Sequence, residues 1–407
     1  MDMLRVLVVS ERYWPNGGGA ELATHLIVDV LSRAFNITVV TGTRNPSRLP
    51  RVSYVYEPLL SRWEKPILWF NTLRLIRTER FRRLVREVDV VYVPRFAFPV
   101  IPFIKDLGKK VVVHLHDYIP ASYTATIFAP YEEHKHRITR DDVFLECIKG
   151  PRYCLGVGLF WWLPRLARRW VLQADKVICV SRRHAEIIVD QIPELKDKIE
   201  VVYNPLPPEL VDKEPRKELD DIPTFLYVGG DSYVKGFHLL LRALNWLGRQ
   251  GVEARFILTN RYGLRSLRIL RRLDEKYGNL EIQVVGRVKY DELLDLRRGV
   301  WALVFPSVWE ETFGYAVVEA SLLGEVPVAS RVGGVLELLG DTIVSRYMFA
   351  PGVLTEFVEK LVGVCSLGVE EVKTFGLELR REVLSKLNPG RIGDAVVHVF
   401  KGVVNDL

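Results

Sequence analysis

The sequence predicts an α/β protein made of two doubly wound, Rossmann-like domains. Three observations carry this. Short apolar runs such as LRVLVVS, VDVVYVP, KKVVVHL, PTFLYVGG and WALVFPS recur along the whole chain. Near-continuous apolar runs of that length suit strands buried on both faces of a parallel sheet. Segments with helical spacing of apolar residues lie between them, so strand and helix alternate. The alternation is interrupted in VVYNPLPPE by Pro205, Pro207 and Pro208, which neither a helix interior nor a central strand tolerates. A chain of 407 residues holds two or three domains at roughly 100–200 residues each. The expected division is 1–206 and 207–387, with the connection running from 205 to about 223.

Composition narrows the class. At 48% hydrophobic and 26% charged residues the chain is globular and buries large cores. No run approaches the roughly 18 apolar residues of a transmembrane helix. The opening MDMLRVLVVS reads as a strand and not as a signal peptide. Cys147, Cys154, Cys179 and Cys365 are scattered, which fits a reducing cytoplasm and no disulfide scaffold. His134, His136, Cys147 and Cys154 make H-x-H and C-x6-C, which is not structural zinc spacing, so no metal is expected. A net charge of +7 and a pI near 9.1 suit phosphate-rich ligands, anionic lipid or nucleic acid. No nucleic-acid motif supports the last of these, and the aromatics do not recur in a stacking pattern. No internal repeat or low-complexity segment is found.

In order, the first strand is Leu4 to Ser10. Gly17, Gly18 and Gly19 follow it and precede a helix whose apolar face runs through Leu22, Leu26 and Val30. A glycine loop there lets backbone amides approach phosphate, although it also serves as a plain turn and is not the G-x-G-x-x-G fingerprint. Strands follow at NITVVTG and VSYVYE. Asn71 to Val88 reads as one helix carrying Arg74, Arg77, Arg80, Arg82, Arg83 and Arg86: a solvated face, or a membrane or acceptor surface. His116 and Asp117 end the strand of KKVVVHLHDY, where α/β ligands bind. A lone His is more often a core residue, and His114, on the same face, is the fallback. Tyr118 to Trp170 is the least legible part. Within it, Leu159, Trp162, Leu163, Leu166 and Trp170 share helical spacing, with Arg165, Arg168 and Arg169 on another face. This fits an interfacial helix or an ordinary one with snorkelling arginines.

The second half opens with a strand ending in Gly229-Gly230, and Lys235-Gly236 begins a helix. Lys235 is a point charge suited to a diphosphate, or a plain surface lysine. ARFILTN, the basic helix RSLRILRRLDEKYG, the strand LEIQVVG, the turn Gly286-Arg287-Val288 and the helix YDELLDLRRG follow. Then comes Phe305 to Glu337, FPSVWEETFGYAVVEASLLGEVPVASRVGGVLE, which reads as strand, loop, helix, strand and turn. Thr312, Phe313 and Gly314 place unpaired N–H groups at a helix start, where the dipole favours an anion. Gly314 allows close approach. Glu311 precedes the helix and Glu319 lies inside it. Two hydroxyl acceptors flanking an anion site suit a nucleotide sugar; the plainer alternative is a core helix with a capping and a solvated glutamate. Beyond Glu337 the helices are expected to be short, with a final one from Arg391 to Val403.

The pattern E-x-F-G-x-x-x-x-E-A followed by G-x-x-P-V-A-S-x-x-G-G-x-x-E, within a match running from Pro306 to Glu337, resembles the E-x7-E signature of the retaining glycosyltransferases of family 4, which have the GT-B fold. The resemblance implies two Rossmann-like domains facing across a cleft. The N-terminal one lies on the acceptor side and the C-terminal one binds the nucleotide sugar, and a closing helix at about 388–407 returns to the first. It implies Glu311 on the hydroxyls of the transferred sugar, Glu319 on the ribose, and backbone contacts from Thr312, Phe313 and Gly314. It further implies Gly18 and Gly19 over the diphosphate, Gly229 and Lys235 on the phosphates, His116 on a primary hydroxyl, and Arg287 and Val288 facing the base.

Two residues depart from the pattern. Thr312 stands where the family has Pro. Gly230 stands where it has Arg, which leaves that role to another cation, with Arg12 and Arg287 as candidates. The activity implied is retaining hexosyl transfer from a UDP-, GDP- or ADP-sugar to a glycan or lipid-linked acceptor, with no metal or other cofactor. The protein would be cytoplasmic and peripheral on the inner face of an anionic membrane. The competing readings are a catalytically weak sugar-nucleotide-binding protein, suggested by Gly230, and a phosphorylase or epimerase on the same scaffold.

Overall fold

In the computed structural model, which describes residues 3–62, 64–132, 138–212, 214–215 and 217–405, every pairing between strands is parallel. The chain divides into two units. The first comprises Met1–Ile127, Glu133–Leu206 and Asn388–Leu407, and the second Phe128–Glu132 and Pro207–Leu387.

In the first unit the elements run β1 (Arg5–Ser10), α1 (Gly19–Ser32), β2 (Asn36–Thr41), β3 (Val52–Tyr56), α2 (Lys65–Leu75), α3 (Glu79–Arg86), β4 (Val90–Val93), α4 (Val100–Asp106) and β5 (Lys110–Leu115). They continue as α5 (Ile138–Cys147), α6 (Pro151–Phe160), α7 (Leu163–Val171), β6 (Lys176–Cys179), α8 (Arg182–Gln191) and β7 (Ile199–Val201). Among the described residues the sheet has seven strands in the order β3-β2-β1-β4-β5-β6-β7. The direction of growth reverses between β1 and β4. Side chains of β4 are buried throughout, because helices cover both faces of such a sheet.

The second unit holds α9 (Pro208–Val211), β8 (Thr224–Tyr227), α10 (Phe237–Gln250), β9 (Ala254–Thr259), α11 (Leu264–Lys276), β10 (Leu280–Gly286), α12 (Tyr290–Leu296) and β11 (Ala302–Phe305). It continues through α13 (Tyr315–Leu322), β12 (Val326–Ser330), α14 (Gly333–Leu339), β13 (Met348–Phe349), α15 (Leu354–Cys365) and α16 (Val369–Lys386). Its sheet, ordered β10-β9-β8-β11-β12-β13, repeats the winding of the first, with the reversal between β8 and β11. The last helix, α17 (Pro389–Asn405), belongs to the first unit. Its Phe400 is fully buried between Phe35 and Tyr92, with ring centroids 6.2 and 5.3 Å away. Burial of such a side chain contributes roughly 1.5–3 kcal/mol.

Several expectations are corrected. The buried stripe of α1 is Leu22, Ala23, Ile27, Val28 and Leu31, with Leu26 and Val30 at its margin. The basic segment 71–88 is two helices, because Thr78 caps a new one: its Oγ1 accepts from the Phe81 amide. The helix supposed over 159–172 is likewise broken. Leu159 and Trp162 are exposed, and α7 buries Leu163, Pro164, Ala167 and Val171 instead. The connection after Pro205 is bonded to the second unit. Arg380 of α16 donates to the carbonyls of Leu210 and Val211, and the Lys217 ammonium to those of Arg297 and Val300. The helices beyond Glu337 are not short, since α16 alone has 18 residues. Cys147 and Cys154 form a disulfide, against the expectation of none, and so cannot be zinc thiolates. His134 and His136 lie outside the described residues.

Candidate active site

In doubly wound sheets ligands bind beyond the carboxyl ends of the strands where the winding reverses. In the second unit that point lies between the loop after β8 and the loop after β11. The two are bonded together: the Val308 amide donates to the Val234 carbonyl at 2.9 Å and Ser307 Oγ to the same oxygen at 3.1 Å. Gly236 makes this approach possible. It has φ +76°, and a Cβ there would lie 1.8 Å from the Pro306 carbonyl oxygen, so no other residue fits.

The approach sets Lys235 beside Glu311. Lys235 Nζ donates to Glu311 Oε1 at 2.5 Å, and Ser307 Oγ and Trp309 Nε1 donate to the same oxygen at 2.9 and 2.6 Å. Nζ also lies 5.1 Å from the Trp309 ring centroid, a cation–π distance. The Lys235 side chain is 35% exposed and that of Glu311 5%. Glu311 Oε2 accepts no hydrogen bond among the described residues. Thr312 and Phe313 are buried. Gly314 is half-exposed at φ +85° and forms the N-cap of α13, so the helix start faces the same loop as Glu311.

Glu310, which the sequence reading passed over, supports this loop from below. It is buried, and its two oxygens accept from the Tyr131 and Gly333 amides, each at 2.7 Å. Gly334 N–H donates to the Glu311 carbonyl at 2.8 Å. The segment Phe128–Glu132 thus packs on the β11–α13 loop, with Ala129 N–H bonded to the Val308 carbonyl at 3.0 Å.

Glu319 lies one turn into α13. Tyr290 donates its hydroxyl to Oε1 at 3.2 Å, and Arg297 Nη2 stands 3.6 Å from Oε2. Burial raises the Glu319 pKa, opposed by Arg297. Arg297 is fully buried and also pairs with Glu325 at 3.2 Å. Glu319 therefore belongs to a buried charge network that sequence spacing did not disclose. Val288 is half-buried and Arg287 exposed, both just after the Gly286 turn that ends β10. Gly229 and Gly230 follow β8. Gly230 has φ +60°, and a Cβ on it would lie 2.8 Å from the Arg261 carbonyl oxygen. An arginine could not stand there without backbone strain.

The first unit gathers a different set at its own reversal. Arg95, after β4, pairs with Glu11, after β1, at 3.4 Å and with Glu21 of α1 at 3.1 Å. Burial raises the Glu11 pKa and Arg95 opposes it. Glu21 Oε2 accepts the Gly18 amide at 2.7 Å. Gly19 begins α1. Arg12 is half-buried in the same loop. His116 is half-exposed just past β5, 4.1 Å ring to ring from His114. Burial and the neighbouring His114 hold its pKa well below the ordinary value, which favours the neutral imidazole. His114 binds the Tyr92 hydroxyl through Nδ1 at 2.8 Å, and burial pushes its pKa down to about 3. His114 is thus the packed core residue, and His116 the one nearer solvent.

Fold and loop geometry define the class: two parallel-sheet α/β domains of GT-B type, each with polar loops at its winding reversal. Two family models extend this along most of the chain, one described as Glycosyltransferase Family 4 over residues 17–210 and one as Glycosyl transferases group 1 over residues 211–371. The chain belongs to these GT-B glycosyltransferases. It is 28% identical over 176 residues to the phosphatidylinositol N-acetylglucosaminyltransferase gpi3 subunit of Schizosaccharomyces pombe, covering 43% of this chain and 38% of that protein. It spans less than half the length of the first curated relatives it matches. Among solved structures, sucrose-phosphate synthase from Thermosynechococcus elongatus superposes with a TM-score of 0.74 at 15% identity, covering 99% of this chain and 100% of that one. Anabaena HepE, solved with UDP and glucose, gives 0.67 at 16%, covering 98% and 99%. At these identities the structural likeness is one of fold.

Proposed function

We propose that this glycosyltransferase moves a hexosyl unit, with retention at the anomeric carbon and without a metal ion, from a nucleotide-diphosphate sugar to a glycan or lipid-linked acceptor. The observation that carries this is the Lys235–Glu311 pair at the β8/β11 reversal, beside the start of α13. As the bond from the anomeric carbon to the phosphate oxygen breaks, negative charge gathers on the leaving diphosphate. The Lys235 ammonium and the first amides of α13 are fixed donors for that charge, which is where electrostatic catalysis acts. The acceptor hydroxyl attacks from the face the diphosphate leaves, and its proton passes to the departing phosphate oxygen. Glu311 Oε2 takes a sugar hydroxyl, neutral His116 another, and Glu319 exchanges Tyr290 for the ribose; their role is orientation. Gly229, Arg287 and Val288 line the donor's phosphate and base, and Gly19 approaches the diphosphate. The complex of HepE with UDP and glucose supports a nucleotide donor.

The test is kinetic. Glu311→Ala should lower kcat with little change in KM, while Lys235→Ala and Glu319→Ala should raise the donor Kd in a thermal-shift panel of UDP-, GDP- and ADP-sugars. Unchanged kinetics in all three would refute the assignment, and loss of activity with EDTA would refute metal independence. Gly230 favours a second reading, a sugar-nucleotide-binding protein with little turnover. Slow hydrolysis of the donor by the purified protein would exclude it.

A further inference from the structure

The hairpin of α5 and α6 presents apolar residues to water. Of the ten residues of α6, PRYCLGVGLF, only Val157 is buried. Leu155 is 65% and Leu159 58% exposed, and Phe144, Ile148, Trp161 and Trp162 are exposed beside them in sequence. The other side of the hairpin is firmly held. Asp142 of α5 is buried and accepts from Ser122 Oγ at 2.7 Å and from the Tyr123 and Thr124 amides at 2.8 and 2.9 Å. The Cys147–Cys154 disulfide closes the hairpin at its turn. The apolar face therefore belongs to an anchored element.

Charge tells what covers it. From Cys147 to Ala174 the chain carries five Lys or Arg (Lys149, Arg152, Arg165, Arg168, Arg169) and no Asp or Glu; Lys149 pairs with Glu146 of α5 at 2.6 Å and Arg168 with Glu194 at 2.7 Å, so the positive charge turned to solvent comes from Arg152, Arg165 and Arg169. Arg165 lies over the Trp161 ring at 4.2 Å, with its stem along an apolar surface and its head free for an anion. From Pro151 to Pro164 the only side chain with a formal charge is that of Arg152, and no Asn, Gln, Ser or Thr occurs. A protein interface needs about one hydrogen bond per 100–200 Å², and this face has few groups to supply them. Exposed apolar residues, adjacent tryptophans and the arginines Arg152, Arg165 and Arg169, with the α5 carboxylates of Asp142 and Glu146 buried, suit the headgroup layer of a bilayer. We propose that the α5–α6 hairpin with Trp161 and Trp162 is a membrane-docking surface for anionic phospholipid. Of the 159–172 face expected from spacing, Leu159 and Trp162 belong to this surface, while α7 turns its own apolar side inward through Leu163, Pro164, Ala167 and Val171.

Flotation of the full chain with vesicles of phosphatidylcholine, alone or mixed with phosphatidylglycerol, tests this. The chain should float with the mixed vesicles at low salt, release as salt rises, and shift its tryptophan emission to the blue. Leu155→Glu with Leu159→Glu should weaken binding on the order of tenfold or more. Both side chains face water, so thermal unfolding and turnover of a soluble donor should be unchanged. That separates failure here from failure of the active-site proposal. The proposal is overturned by any of three results: no flotation at low salt, equal flotation of the double variant, or salt-independent binding to pure phosphatidylcholine. It is also overturned if the face instead holds two copies together, seen in sedimentation as a dimer that the double variant dissolves without vesicle binding.

Discussion

The two winding reversals share one topology and use it in opposite ways. At β1/β4 the polar groups satisfy one another: Arg95 is spent on Glu11 and Glu21, and Glu21 on the Gly18 amide. The circuit is buried and sets the shape of the loop. At β8/β11 a half-exposed lysine meets a glutamate with one oxygen that accepts no hydrogen bond among the described residues. The same sheet winding therefore gives a closed ion-pair circuit in one unit and a half-exposed pair, the one proposed above to meet the donor, in the other. Which one results depends on whether the partners close on themselves.

The largest effect that distinguishes them is on turnover. On the role proposed for it, Lys235→Ala should lower kcat/KM roughly 10²–10³-fold, about 3–4 kcal/mol, with a smaller loss in urea unfolding because Ser307 and Trp309 still donate to Glu311. Arg95→Met should do the reverse in the free protein. It leaves two buried carboxylates without their cation and should cost about 3 kcal/mol of stability, read in urea unfolding. If Arg95→Met unfolds at the wild-type midpoint, the closed-circuit reading fails.

Acid sharpens the contrast. His184 donates through Nε2 to the Asp117 carbonyl at 3.2 Å and accepts the Val180 amide on Nδ1 at 3.4 Å, an arrangement only the neutral ring can make. Burial lowers its pKa to about 4 and that of His114 to about 3. Each folded pKa is depressed, so the unfolded chain takes up the proton first. The stabilisation is complete above about pH 6.5 and is lost as pH falls toward 4, at about 1.4 kcal/mol per pH unit for each histidine. Hydrogen exchange should show β5 and β6 losing protection before β8 and β11 as pH drops from about 7 to 5; simultaneous loss would contradict this. The smallest effect is Gly230→Ala, where positive φ costs about 1–2 kcal/mol in urea unfolding. Gly230→Arg should bind the donor no better than wild type.

Legibility followed burial. The strands were readable because two covered faces demand unbroken apolar runs, and VVYV and ALVF leave no polar position. The β11–α13–β12 unit was readable for the same reason, together with its glycines. Helices failed where the period assumes a single buried face. Nearly every side of α6 is apolar, so its pattern could not say that the helix is exposed; Pro151 and Pro164, each in a first helical turn, were the missed marks of two separate helices. In the candidate site, Lys235 and Glu311 could be named from local pattern. Glu310, Tyr290, Arg297 and the Arg95 circuit could not, because their partners lie from 22 residues (Arg297 to Glu319) to 179 residues (Glu310 to Tyr131) away in sequence. A fully buried arginine such as Arg297 leaves no trace in a hydropathy pattern.

The passage of Phe128–Glu132 through the second unit has a practical consequence for dissecting the chain. A fragment cut before Pro207 and after Leu387 keeps every strand of the second sheet yet lacks this visiting segment. It would lose the Tyr131 amide from the Glu310 carboxylate and the Ala129 amide from the Val308 carbonyl. Such a half-protein should therefore hold the loop bearing Glu311 more loosely than the whole chain does, and a short peptide spanning residues 128–132 supplied in trans would be the natural complement.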